Sequence, residues 1–77
     1  MSEYQMNITG KISLSDYSSI YDYIAIVDKD DNLTISIENN TENINIVKQM
    51  LENNNFTIDL DCNKLNGRYY IKASKTN

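Results

Sequence analysis

Phe56, Ile58, Leu60 and Cys62 alternate with Thr57, Asp59, Asp61 and Asn63, and Asn66-Gly67 follows three residues on. Alternation at period two makes a strand with one buried face. Asn-Gly is the preferred two-residue hairpin turn, because both central positions need positive φ. Folding about it sets Leu65 opposite Arg68, Cys62 opposite Ile71 and Leu60 opposite Ala73. On the other face the same register sets Asp61 against Lys72 and Asn63 against Tyr70. Opposite charges directly across a pair stabilise it by a few tenths of a kcal/mol, up to ~1. Pattern, turn and charge agree, so a C-terminal hairpin is expected, with Cys62 as a core thiol.

The rest of the chain is read around that hairpin. Tyr4, Met6, Ile8, Ile12 and Leu14 alternate with polar residues, as a half-buried strand does, and Gly10 implies a bulge or bend. Ser15-Asp16 offers an N-cap, and Tyr17, Ile20, Tyr21 and Ile24 follow at helical spacing. That helix is expected to be short, near residues 16–22, because Tyr23 to Val27 reads as strand. Ile24, Ile26 and Val27 face Leu33, Ile35 and Ile37 across Asp28-Lys29-Asp30-Asp31-Asn32, which predicts a second hairpin. Asn39 and Glu42 have the form of a capping box. A main helix follows over about 40–53, with Ile44, Val47 and Leu51 on one side, and it stops at Asn53-Asn54-Asn55.

The expected fold is therefore α+β: a single domain over 1–77 with a small antiparallel β-sheet of about five strands. The main helix packs on one face and the short helix lies near 16–22. The first six elements resemble a ferredoxin-like βαββαβ layout with one strand added at the C-terminus. A chain of 77 residues buries only roughly 60–65% of its unfolded surface. One cysteine and no histidine leave neither an internal disulfide nor a zinc ligand set to reinforce it. Self-association or a larger partner fits such a core.

Charge is split along the chain. Residues 1–63 hold all eleven carboxylates against Lys11, Lys29 and Lys48, while residues 64–77 hold Lys64, Arg68, Lys72 and Lys75 and no acid. Two surfaces of opposite sign follow, with partners chosen partly by charge. The first residues lack the basic and apolar blocks of a signal peptide, and no apolar run approaches the ~20 residues of a membrane span. A cytoplasmic protein is expected. Asn, Ile, Lys and Tyr make up 35 residues, a composition suggesting an AT-rich genome such as that of a low-GC bacterium or its phage.

Chemistry-bearing patterns are sparse. Asp28, Asp30 and Asn32 begin like a calcium loop, but Leu33 and Asn39 stand where Gly and Glu are required, so an acidic turn is the simpler reading. Asp59 and Asp61 share a strand face where surface pairing explains them. Without histidine, a serine nucleophile would need a lysine base, and no such motif is present. Neither enzyme, cofactor nor metal site is expected. Arg68, Tyr70 and Lys72 share one face of the last strand, the kind of surface that single-stranded nucleic acid stacks on, although a net charge of −4 opposes a polyanion.

Tyrosine is the more telling enrichment. Tyr17, Tyr21 and Tyr23 lie beside Asp16 and Asp22, and Tyr23 is expected to point away from the core. Exposed tyrosine next to carboxylates favours protein interfaces. The expected function is a small acidic protein-binding module. Its most concrete form is a phage-type inhibitor, anti-CRISPR or anti-defence-like, that blocks the basic nucleic-acid groove of a host enzyme. Asp16, Asp22, Asp28, Asp30, Asp31 and Glu38 would then stand in for phosphates. The alternatives are a self-associating structural module and a single-stranded nucleic-acid binder using Arg68, Tyr70 and Lys72.

Overall fold

A computed structural model describes residues 2–63 and 67–75. In chain order the elements are β1 (Glu3–Asn7), α1 (Leu14–Ile26), β2 (Asn32–Glu38), α2 (Thr41–Asn53), β3 (Phe56–Asn63) and β4 (Arg68–Lys75). The strands form one sheet in the order β1-β2-β4-β3. β1 and β2 run parallel, and β4 is antiparallel to both β2 and β3. The fold is α+β. Among the described residues the sheet has four strands rather than five and is mixed rather than antiparallel, and the βαβαββ order differs from a ferredoxin-like layout.

Those differences come from one segment. Residues 23–26 continue α1 instead of forming a strand, so the expected hairpin across Asp28–Asn32 does not exist. Ile20, Ile24 and Val27, at i, i+4 and i+7, are all buried, and this helical stripe outweighs the weak helix propensity of β-branched and aromatic residues. The whole stretch from Ile8 to Asp31 is then available as a crossover, ample for joining parallel strands. α1 starts earlier than expected as well. Ser13 is its N-cap, and Asp16 completes a capping box by accepting the Ser13 N–H at 3.0 Å. Gly10, at φ +69°, ends the extended run that the alternation predicts through to Leu14.

α2 lies where the periodicity puts it. Its N-cap is Asn40, one residue after the expected Asn39, with the side chain accepting the Asn43 N–H at 3.1 Å. Asn55, at φ 68°, supplies the left-handed stop. Both helices cover the same face of the sheet. Met6, Leu33, Ile35, Ile37, Ile71, Ala73 and Phe56 meet Ile20, Ile24, Val47, Met50 and Leu51 there in one core. Among the described residues the other face carries no helix.

The C-terminal hairpin forms, but its register differs from expectation. The ladder shifts between Ile58 and Leu60, leaving Asp59 as an extra residue in a bulge. Leu60 therefore pairs with Lys72, Asp61 with Ile71 and Cys62 with Tyr70. A slip of one residue exchanges the two faces. Leu60 is left 57% exposed, and Cys62 is half-buried on the uncovered face instead of in the core. Asp61 moves to the helix side, where its carboxylate pairs with Lys48 of α2 and accepts the Tyr69 hydroxyl at 2.7 Å. The turn expected at Asn66-Gly67 lies partly outside the described residues; Gly67 itself has φ +79°.

Candidate functional site

The inward stripe of α1 dictates its outward one. With Ile20, Ile24 and Val27 against the sheet, Leu14, Ser18, Tyr21 and Ala25 form a second stripe about 120° round the helix at 3.6-residue spacing. All four are exposed, and Ile26, further round the helix, is exposed too. Leu14 is 84%, Tyr21 53% and Ile26 56% accessible. Asp22 is exposed one position from Tyr21. Leu14 and Ile26 do not stand out in the sequence, because both fall in runs that read as strand. The signal is present all the same: in a helix running from Leu14 to Ile26, both residues lie about 120° round from Ile20, off the centre of the buried stripe.

The two other tyrosines of α1 turn inward. Tyr17 is half-buried and packs against the core. Tyr23, expected to face solvent, meets the Tyr4 ring edge-on at a centroid distance of 6.1 Å, and its hydroxyl donates to the Gln5 carbonyl at 3.4 Å. A helical position at i+3 from Ile20 borders the core; a strand position would have pointed away.

The six carboxylates proposed as phosphate stand-ins divide into two groups. Asp16 caps α1. Asp31 organises the α1–β2 turn, accepting the N–H groups of Asp28 at 3.0 Å and Ser2 at 2.7 Å. Those two backbone bonds hold its carboxyl below the ordinary aspartate value. Glu38 accepts the Gly10 N–H at 2.8 Å and fixes the β1–α1 turn. Asp22, Asp28 and Asp30 are exposed. The acids do not form a single patch. A 13-residue helix spans roughly 20 Å, which separates Asp16 from the Asp28–Asp31 turn, and β2 separates Glu38 from that turn by a similar length. Tyr21, Asp22, Ile26, Asp28 and Asp30 form the compact part.

The alternative face is the uncovered side of the sheet. Arg68 lies there with its guanidinium bound to the protein itself: Nε to Ser36 Oγ at 3.0 Å, and a terminal nitrogen to the carbonyls of Ser36 at 2.8 Å and Ile8 at 2.9 Å. It buries Ser36 to 2% exposure and joins β4 to the end of β1. Tyr70 and Lys72 are half-exposed along the same strand. The neighbouring partners on β2 and β3 are Thr34, Ser36, Leu60 and Cys62, so this face is mostly uncharged. Lys72 pairs with Leu60, not with Asp61.

Among the described residues no group of three or more His, Cys, Asp or Glu is arranged to hold a metal ion. Their surface opens no cavity, and no helix is long and apolar enough to cross a membrane.

No protein-family model matches the chain, and no curated protein does. Among solved structures the chain is similar to the crystal structure of ribosomal protein L11 methylase from Lactobacillus delbrueckii subsp. bulgaricus, at a TM-score of 0.71 and 21% identity. The match covers 97% of this chain and 36% of that one, so the chain spans about a third of the methylase's length. At this identity the likeness concerns the fold.

Proposed function

We propose that this chain is a cytoplasmic protein-binding module that engages a basic partner through the outer side of α1 and the acidic turn after it. One observation carries the reading. Three of the four large hydrophobic residues exposed among the described residues, Leu14, Tyr21 and Ile26, lie on this one helix, and Asp22, Asp28 and Asp30 are exposed at the end that carries Tyr21 and Ile26. Removing one such side chain from water stabilises a complex by about 1.5–3 kcal/mol, and tyrosine is favoured at interface centres. The surrounding carboxylates steer a basic partner and set its orientation. In the most concrete form the module is an inhibitor of phage type that occupies the nucleic-acid groove of a host enzyme. Asp22, Asp28 and Asp30 then take phosphate positions while Tyr21 and Ile26 anchor the contact. The chain acts by binding and not by catalysis.

The methylase likeness favours a second reading. That enzyme's name gives a ribosomal protein as what it acts on, and in this reading the present chain holds a protein substrate for a catalytic partner. Both readings use the same face. Capture from the native cell separates them from a nucleic-acid role, using wild type beside a Tyr21→Asp, Ile26→Asp variant. Wild type is expected to retain a basic protein, with retention falling as salt rises, and the variant to lose it while its circular dichroism is unchanged. Equal retention by the variant, or retention of nucleic acid instead, would refute the proposal.

A further inference from the structure

We propose that β1 is a self-pairing edge through which two copies of this chain join into one continuous eight-stranded sheet. The β1–β2 register determines which backbone groups are left over. Asn32 N–H donates to the Ser2 carbonyl at 2.9 Å and Ile8 N–H to the Ser36 carbonyl at 2.8 Å, so the even-numbered residues of β1 bond to β2. The N–H and C=O groups of Glu3, Gln5 and Asn7 therefore point out from the sheet.

Sheets guard such edges with lysine, proline, a bulge or a covering element. The opposite edge is guarded, because β3 carries the bulge at Asp59. β1 contains no lysine or proline and a single charge, Glu3 at its first position, and its five pairs with β2 run without a shift. The Tyr23 hydroxyl reaches the outward Gln5 carbonyl only at 3.4 Å, and a carbonyl oxygen has a second lone pair.

The occupant is a second copy because the strand is self-complementary. A two-fold axis through Gln5 pairs Gln5 with its own copy and Glu3 with Asn7, and sets Tyr4 opposite Met6 on the helix side. All three outward N–H and C=O pairs find partners in this register, and no carboxylate meets another. Other registers satisfy fewer of them. Two chains of net charge −4 repel, so the dimer strengthens as salt rises, the reverse of the salt response expected at α1.

Sedimentation velocity over a concentration series tests this, on wild type and on Gln5→Pro and Gln5→Lys. Proline at position 5 removes an outward N–H and leaves the β1–β2 bonds, which come from even-numbered residues. Lysine sets two like charges across the axis and keeps the backbone intact should proline perturb the fold. Wild type is expected to dimerise with concentration, and both variants to dimerise about tenfold or more weakly with unchanged circular dichroism. In the wild type, amide exchange at Glu3, Gln5 and Asn7 slows as concentration rises, whereas Met6 is protected throughout. A wild type that stays monomeric up to about 1 mM overturns the proposal. So does a dimer that both variants keep, or one in which those three amides still exchange freely.

Discussion

Arg68 stands on the uncovered face of the sheet, yet its guanidinium bonds to Ser36 and Ile8. Its first role is to close the junction where β1, β2 and β4 meet. Arg68→Ala leaves those acceptors without this donor and is expected to lower stability by about 1–3 kcal/mol, readable as a shift of the urea midpoint. A loss below a few tenths of a kcal/mol would mean that the junction holds without it. The Lys48–Asp61–Tyr69 group ties α2 to the hairpin in a comparable way, with the Lys48 ammonium 5.9 Å from the Tyr69 ring centroid. The Lys48 hydrogen bond, then that of Tyr69, holds the Asp61 carboxyl below its ordinary 3.8. The hydrogen bond with Asp61 holds Lys48 above 10.5 and Tyr69 above 10.0. The depressed carboxyl contributes stability above about pH 4, which is lost as pH falls through its folded value. The raised lysine and tyrosine contribute below about pH 10, and that part is lost as pH rises through theirs. Thermal unfolding should show a plateau between these limits, and Asp61→Asn should flatten the acid limb. An acid limb unchanged in that variant would assign it to other carboxylates.

At the scale of elements, α2 and the two strands of the C-terminal hairpin are legible in the sequence, and of α1 only the central turns, near residues 16–22, are. The α2 pattern is polar on one arc and apolar on the other, so its period is unambiguous. Tyr23-Ile24-Ala25-Ile26-Val27 is apolar without a period, and such a run reads as strand or helix until its neighbours decide. The neighbour that decided was the capping box at Ser13 and Asp16, which starts the helix early enough for Val27 to close its inner stripe. Ser13→Ala should cost about 1 kcal/mol and loosen amide protection in the first turn of α1 alone. The hairpin register was missed for a different reason: a bulge adds a residue without changing composition, and no glycine marks it. Deleting Asp59 should give a regular ladder that keeps Asp61 beside Lys48, since Ile58 and Asp61 already share the helix side. It should also leave β3 an unguarded edge and promote association. A deletion variant that fails to fold would show that the bulge is needed for the twist of the sheet.

For the whole molecule, helices on one side of the sheet divide the surface into three parts: the outer side of α1, the uncovered face of β2, β4 and β3, and the β1 edge. Composition had announced the excess of acid and of tyrosine, but not where it would sit. Tyr21, Asp22, Asp28 and Asp30 stayed on the surface. Asp16, Asp31 and Glu38 were drawn into turns that need an acceptor, a role that the residue type alone does not distinguish from an open carboxylate. The α1 surface and the Tyr70 surface point away from each other across the sheet, so one experiment compares them. A photo-crosslinking phenylalanine analogue is placed at Tyr21 in one variant and at Tyr70 in another, each is irradiated in the native cell, and the adducts are identified by mass spectrometry. Tyr21 should yield a discrete adduct with a basic protein and Tyr70 should not. Adducts to nucleic acid from Tyr70, with none from Tyr21, would contradict the account.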